Sequence, residues 1–340
     1  MHRSRAVDLL TSIAVVIPAY NAASHLGPTL RSVLAQTRPA DEVIVVDDGS
    51  SDDTAGVARS FGGVRYLRQD NAGVSAARNR GVDAATADWV AFLDSDDLFA
   101  PRKLELQEPA LGPGVVAAST GAALVDSGLH PLAIRRPELP DPPDELLTRL
   151  FTEGNLVGSP SSVLARREVL TDLGGFDERL SFTADWDLWI RLARAGRFAC
   201  VDEPLIAYRL HEESMSSDPD LVETDSISML ERALDDPSNP SAIAHARGRI
   251  LARQWSVAAG CHRQAGNHAA SVRCIARGAA ASPATQLRAI GSAIAHRLGR
   301  SAGEAVGSDR LGSSAHVSVT PAGPGDDLEW LEAYAEGSPG

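Results

Sequence analysis

An α/β fold, with a doubly wound and mainly parallel sheet carrying helices on both faces, is predicted by three features of the sequence. Short apolar runs alternate with helically periodic stretches through residues 11–126. The runs are apolar throughout instead of at every second position, the pattern of strands buried on both faces. Three of them end in polar clusters, as strands do where an open sheet meets its ligand cleft.

Taken in order, residues 1–11 read as a loose terminus and Ile13–Ile17 as the first strand, bounded by Pro18. Ala22 to Ala35 carries helical periodicity through Leu26, Leu30, Val33 and Leu34, and Glu42–Val46 is the second strand. A helix precedes the strand Val64–Leu67; another runs from Val74 to Ala84, and Trp89–Leu93 follows as a strand that runs into three acids, Asp94, Asp96 and Asp97. This β-α-β-α-β-α-β order implies right-handed parallel crossovers. Beyond it come a helix and a strand near Val115–Ala118, then a Pro-rich interval, Pro131–Pro143, that reads as an exposed loop. Asp144–Phe151 is helical, Ser161–Ala165 a strand, Gly174–Asp177 a tight turn, and Asp185–Ala195 a helix stopped by Gly196. Phe198–Val201 and Leu205–Tyr208 close a first unit, residues 1–220. Residues 221–300 follow as an α-helical extension rich in Ala and Arg, and 301–340 as a low-complexity tail expected to be mostly disordered, with Leu328, Trp330, Leu331 and Tyr334 as a short docking helix.

Charge excludes one class of partner. A net charge of −13 argues against nucleic-acid binding, which needs clustered Lys and Arg. Residues 241–300 nevertheless hold nine arginines and no acid, a segment of +9 against −22 for the rest. The stripe Leu287, Ile290, Ile294 and Leu298 makes part of it a basic amphipathic helix, suited to peripheral contact with an anionic membrane or to pairing with the chain's own acidic part. Three cysteines, Cys200, Cys261 and Cys274, lack the number and spacing of a disulfide framework or zinc site. With no signal-peptide pattern and no apolar run of about 20 residues, the expected location is cytoplasmic, at most peripheral at the inner face of the cell membrane.

The polar strand ends carry the chemistry. No phosphate-binding G-x-x-x-x-G-K-[ST] loop exists, and the one G-x-G-x-x-A match, Gly112 to Ala117, precedes a strand instead of following one. What the sheet edge offers instead is Pro18-Ala-Tyr20-Asn21, Asp47-Asp48-Gly-Ser50 and Asp94-Ser95-Asp96-Asp97. Tyr20 and Asp48 suit a nucleobase, Asp94 a ribose, and the acids a hard cation bridging a diphosphate. Each group alone is also ordinary turn chemistry; their convergence favours a site.

The series V-V-I-P-A-Y-N (15–21), V-V-D-D-G-S-S-D (45–52), N-A-G-V-S-A-A-R-N-R-G (71–81), F-L-D-S-D-D (92–97), G-G-F-D-E (174–178), A-D-W-D-L-W-I-R-L (184–192) and E-P-L-I-A-Y-R-L-H (203–211) resembles the family-2 glycosyltransferases of GT-A fold, over about residues 10–215. The resemblance implies an inverting enzyme that uses a nucleoside-diphosphate sugar, most often UDP-linked, and Mn²⁺ or Mg²⁺. Carried over, Pro18, Tyr20 and Asp48 would face the base and Asp94 the ribose, with Asn21, Asp47, Asn71, Gly73, Arg78, Asn79 and Ser95 on the donor side. Asp96 and His211 would hold the metal, and Asp185 would be the general base, although as a residue it is equally a helix N-cap. Gly175 and Trp186 are acceptor-side candidates, Trp186 as a stacking platform, while Trp189 belongs to the core. Many relatives place Glu where this chain has Ala184, which weakens inference about the acceptor. The implied reaction is sugar transfer to a carbohydrate or lipid-linked hydroxyl in cell-surface glycan assembly; a nucleotidyltransferase and a non-catalytic nucleotide-sugar-binding scaffold are the competing readings.

Overall fold

A computed structural model describes residues 11–210, 218–289, 318–323 and 326–334. Its first half follows the predicted winding. Strands β1 (Ile13–Ala19), β2 (Glu42–Asp47), β3 (Val64–Arg68) and β4 (Trp89–Phe92) lie parallel in the order β3-β2-β1-β4. They alternate with α1 (Leu26–Leu34), α2 (Thr54–Ser60) and α3 (Val74–Ala84). All seven residues of β1 are buried. Ala14 and Val16 point into the cluster beneath α3, and Ile13, Val15 and Ile17 into the one beneath α1. The period of two along a strand thus serves two covered faces, which is why the run is apolar at every position.

The second half departs from a mainly parallel sheet. After the two-residue β5 (Leu98–Phe99) and α4 (Lys103–Gln107), β6 (Val115–Val125) runs on as a long buried strand. It pairs antiparallel with β7 (Pro131–Arg136) and β8 (Val163–Arg166), and parallel with β9 (Arg197–Arg209). β8 also pairs antiparallel with β4 and so joins the halves. The stretch expected as a Pro-rich loop therefore contains a strand. Asp126 closes the β6–β7 hairpin by accepting from the Gly128 and His130 amides at 2.9 Å, and Leu129 takes a φ of 67°. Such a turn needs no crossover, so the sheet becomes mixed here.

Helices α5 (Pro143–Thr152), α6 (Arg167–Asp172) and α7 (Ala184–Ala195) cover the α3 face. So does α8 (Pro219–Leu234), whose Met229 and Leu230 join the same core, together with Ile243 and Ile250 of α9 (Ser241–Gln264). The expected boundary at residue 220 thus marks the start of a helix, not an edge of the core. α10 (His268–Ala281) packs on α9. Several arginines of the extension meet acids of this chain: Arg247 meets Asp235 at 2.8 Å, and Arg273 and Arg277 both meet Glu223 at 3.3 Å. Leu287 is 71% exposed, and the remainder of its stripe lies outside the described residues. One part of the tail expected to be disordered is ordered against the sheet, where β10 (Ser318–Pro321) pairs with β7; the segment expected as a docking helix is a 3-10 turn, Glu329–Tyr334, that buries Leu331 among Leu98, Ala123 and Ile134. No helix among the described residues is long and apolar enough to cross a membrane.

Candidate active site

The ends of β1 and β2 are stitched together before any ligand is considered. Asn21, at a φ of 48°, donates its amide to Ser50 Oγ at 2.9 Å and accepts from the Ser51 amide at 2.8 Å. Tyr20 beside it is 55% exposed, a ring held at the cleft edge with an open face. Pro18 is buried within β1, past the last rung to β4, where a missing N–H is tolerated. Asp47 is fully buried and engaged by its own turn, accepting from the Ser50 amide, Tyr66 Oη and Arg68 Nη1 at 2.8, 2.5 and 2.8 Å. Burial alone would raise its carboxyl, but the bonds from Tyr66 and Ser50 and the Arg68 charge hold it below the ordinary range. Its side chain, expected on the donor side, braces the turn. Asp48 accepts from Gln69 Nε2, the Ala72 amide and the Gly73 amide at 2.8, 2.9 and 2.8 Å. It thereby holds the exposed loop of Asn71 and Gly73, whose φ of 93° opens α3.

The acids after β4 diverge instead of sharing one duty. Asp94 accepts from Arg78 Nη2 at 2.6 Å and donates its amide to Ser161 Oγ at 3.0 Å. Arg78 is 5% exposed and lies 5.1 Å above the Phe176 ring, so an immobile guanidinium reaches the cleft from α3. Asp97 turns inward: it is 1% exposed and accepts from Ser161 Oγ at 2.6 Å and from the Arg209 amide at 3.0 Å. Burial, then the charges of Asp96 and Asp94, push its carboxyl well above the ordinary range. The idea that all three acids face a cation is corrected to this extent. Ser95 and Asp96 are half-buried, and their carbonyls accept from Thr29 Oγ1 at 2.9 Å and from Arg209 Nε at 3.1 Å.

The half-buried carboxylates Asp94 and Asp96 are oxygen donors of the kind a hard divalent cation takes. His211 lies outside the described residues.

Asn79 does not line a donor pocket with its side chain. Its Nδ2 donates to the Phe176 carbonyl at 2.9 Å and its Oδ1 accepts the Phe176 amide at 2.7 Å, clamping the Gly174–Gly175 turn. A Cβ on Gly175 would fall 2.3 Å from that Oδ1, and the φ of 68° independently asks for glycine. Gly175 is therefore a point of close approach.

Asp185 is not the helix N-cap; Thr183 holds that position and α7 begins at Ala184. The carboxyl is half-buried and accepts from Asn155 Nδ2 at 2.9 Å and from the Trp186 amide at 2.7 Å. Burial raises it to about 6, against the pull of the Trp186 amide and the Arg78 charge. Its electrostatic neighbours, Arg78, Asp94 and Arg135, show that α3, the β4 end, α7 and β7 face one cleft. Trp186, by contrast, is 6% exposed, donates Nε1 to the Leu150 carbonyl at 3.0 Å and belongs to the core. It is no acceptor platform. An apolar side chain that follows the base in a helix turns roughly 100° away from it.

Four positioning residues escaped the sequence: Ser161, Asn155, Arg135 and Tyr208. Ser161 ties Asp94 to Asp97, and Asn155 orients Asp185. Arg135 Nη2 donates to the Leu156 carbonyl at 3.4 Å, and its guanidinium feels the charges of Asp185 and Tyr208. Tyr208 feels Asp97, Asp94, Asp96 and Asp185, and burial followed by those charges keeps its hydroxyl protonated. Only Tyr208 lay in a quoted motif; Arg135 sat in the stretch read as a loop.

Residues 14–174 match the model of glycosyl transferase family 2, and residues 144–234 that of a glycosyltransferase-like family 2. An uncharacterized glycosyltransferase of Rickettsia typhi is 31% identical over 204 residues, 59% of this chain and 64% of that protein. One from Nostoc sp. is 32% identical over 213 residues, 58% and 65%. The chain thus spans just under two thirds of the length of these relatives. Among solved structures, S. aureus TarS 1–349 in complex with UDP-GlcNAc aligns with a TM-score of 0.59 at 20% identity, covering 85% of this chain and 92% of that one. The mannosyltransferase PcManGT from Pyrobaculum calidifontis, in complex with GDP-Man and Mn²⁺, aligns at 0.55 and 19%, covering 84% and 80%. These likenesses show a GT-A fold, and residues 14–174 form a domain of glycosyl transferase family 2.

Proposed function

We propose that this chain transfers a sugar from a nucleoside diphosphate, with UDP as the first candidate, to an acceptor hydroxyl in a single displacement that inverts the anomeric centre. The observation that carries the reading is Asp185: a carboxyl raised to about 6, oriented by Asn155, in the same cleft as the Asp94–Arg78 pair. A base of that strength is ionised at neutral pH yet strong enough to take a hydroxyl proton as the bond to the sugar forms. Tyr20 offers a stacking face for the base and Asp94 an acceptor for ribose hydroxyls, while Arg78 fixes Asp94. Asp96, with His211 as the family implies, would hold Mn²⁺ or Mg²⁺. Such a cation neutralises the charge that develops on a departing diphosphate.

Two nucleotide-sugar complexes among the fold relatives, one with UDP-GlcNAc and one with GDP-Man and Mn²⁺, support a nucleotide-sugar donor and leave the base open. The acceptor is a carbohydrate or lipid-linked hydroxyl in cell-surface polysaccharide or glycolipid assembly, reached from the cytoplasmic side. Calorimetric titration with UDP, TDP, GDP and CDP, with and without Mn²⁺, tests the donor site. One nucleotide should bind only with the cation, and Asp96→Asn should abolish that binding. If no nucleotide binds under any condition, the reading fails.

A further inference from the structure

The helical extension brings together a set of metal-ligating side chains remote in sequence from the proposed sugar-transfer machinery. α8 contributes Glu223, α9 His262 and α10 Cys274, and one ligand atom from each lies within 4.8 Å of the other two. His262 and Cys274 are fully buried and Glu223 is 7% exposed. His262 Nε2 lies 2.8 Å from Glu223 Oε2, and Cys274 Sγ lies 3.2 Å from the same oxygen.

Two accounts compete for this cluster. In the first it is a hydrogen-bonded knot around Glu223, completed by Arg273 Nη2 on Oε2 and Arg277 Nη1 on Oε1, each at 3.3 Å. That account crowds three donors onto one carboxylate oxygen and gives a fully buried thiol no other role. His262 Nδ1 is buried without a partner in either account, so no second bond locks the tautomer, and the nitrogen facing Glu223 is able to present a lone pair.

In the second account a cation replaces the two shared protons. Zn²⁺ takes sulfur at about 2.3 Å and nitrogen or oxygen at about 2.0–2.2 Å, so tetrahedral ligands stand about 3.3–3.8 Å apart, close to the spacing already present. Glu223 and a Cys274 thiolate supply two negative charges for two positive ones. Arg273 and Arg277 have side chains 49% and 52% exposed, so solvent takes over the solvation of Arg273, and of Arg277 above the Trp255 ring, once Glu223 is neutralised by the metal. Thiolate and imidazole select a soft or borderline ion over Mg²⁺, which separates this site chemically from the carboxylates after β4.

We propose that Glu223, His262 and Cys274 form a binding site for a thiophilic divalent cation, Zn²⁺ foremost, with a water as fourth ligand, which fastens α8, α9 and α10 to one another. Binding forms Zn–O, Zn–N and Zn–S bonds, releases the Cys274 proton to solvent and shifts the His262 ring proton from Nε2 to Nδ1. The site is independent of the sugar-transfer reading and stands or falls without it.

Titration of the metal-free full chain with Co²⁺ tests it. One equivalent should produce sulfur-to-cobalt charge-transfer absorption and tetrahedral d–d bands, both displaced by Zn²⁺ and unaffected by excess Mg²⁺. Cys274→Ser should remove the charge-transfer band and Cys261→Ser should leave it. His262→Gln, a smaller perturbation of packing, should weaken Co²⁺ binding at least about tenfold. Thermal unfolding of each variant, with and without Zn²⁺, confirms folding, and Zn²⁺ should stabilise the wild type and not Cys274→Ser. A folded wild-type chain that shows no charge-transfer band at excess Co²⁺, or a band that survives Cys274→Ser, overturns the site and returns the cluster to a hydrogen-bonded knot.

Discussion

Replacing Asp185 by Asn should cost activity and raise stability, and the two effects have separate magnitudes. Raising a carboxyl from its ordinary 3.8 to about 6 disfavours its charged form in the folded state. At 1.36 kcal/mol per pH unit this costs about 3 kcal/mol of stability at neutral pH. Asn removes that cost. It also loses one of two hydrogen bonds, because Asn155 Nδ2 and the Trp186 amide both donate to the carboxylate while an amide offers one acceptor oxygen, a loss of about 1–2 kcal/mol. The expected net gain is about 1–2 kcal/mol at pH 7.5.

The sign with pH follows from the raised folded value. The folded chain binds more protons than the unfolded chain between 3.8 and about 6, so the aspartate form loses stability as pH rises through that window. The cost shrinks to about 1 kcal/mol at pH 4.5, where the advantage of Asn should vanish or reverse. Denaturant unfolding of both proteins at the two pH values measures this. Turnover of Asp185→Asn should fall about 10²–10⁴-fold, and wild-type turnover should rise through about pH 6 as the base ionises. A variant less stable at pH 7.5, or a stability difference independent of pH, would refute the burial argument. Undiminished turnover would refute the base assignment.

The neighbouring acids separate in the same manner. Asp97→Ala strands the buried Ser161 hydroxyl and Arg209 amide and should cost about 2 kcal/mol or more in urea unfolding, whereas Asp97→Asn sheds a disfavoured charge, keeps an acceptor and should be nearly neutral. Asp96→Asn should still unfold cooperatively in urea and should eliminate cation-dependent nucleotide binding by calorimetry. Trp186→Phe forfeits the bond to the Leu150 carbonyl, at about 1 kcal/mol, with no change in acceptor KM; a raised KM would restore the platform role. Leu331→Ala should release the tail, measured as faster amide exchange at residues 319–320 of β10, and unchanged protection would show that β10 holds without it.

The parallel half of the sheet and the place of the donor site were legible because both rest on local pattern. β1, β4 and the interior of β2 are buried on two faces and so are apolar at every position, and their ends carry Tyr20, Asp48, Asp94 and Asp96 to one edge. Family resemblance added Asp185, which the residues alone left level with an N-cap. The tertiary structure decided which polar residues brace the site from within. Asp47, Asp97 and Asn79 stand in the same motifs as the cleft residues, yet their side chains bond to Tyr66, Ser161 and Phe176, partners 19, 64 and 97 residues away.

The antiparallel half was hidden for a related reason. β7 carries prolines nearby and finds its second partner in β10, about 180 residues on, so no window of sequence contains the pairing. Glu223, His262 and Cys274 lack the short spacing of a metal motif, and only the packing of α8, α9 and α10 brings them within reach of one ion. Periodicity and strand-end chemistry are written in neighbouring residues and survive as pattern. Hydrogen-bond partnership and convergence across the fold are properties of distance in space, which this sequence determines only by folding.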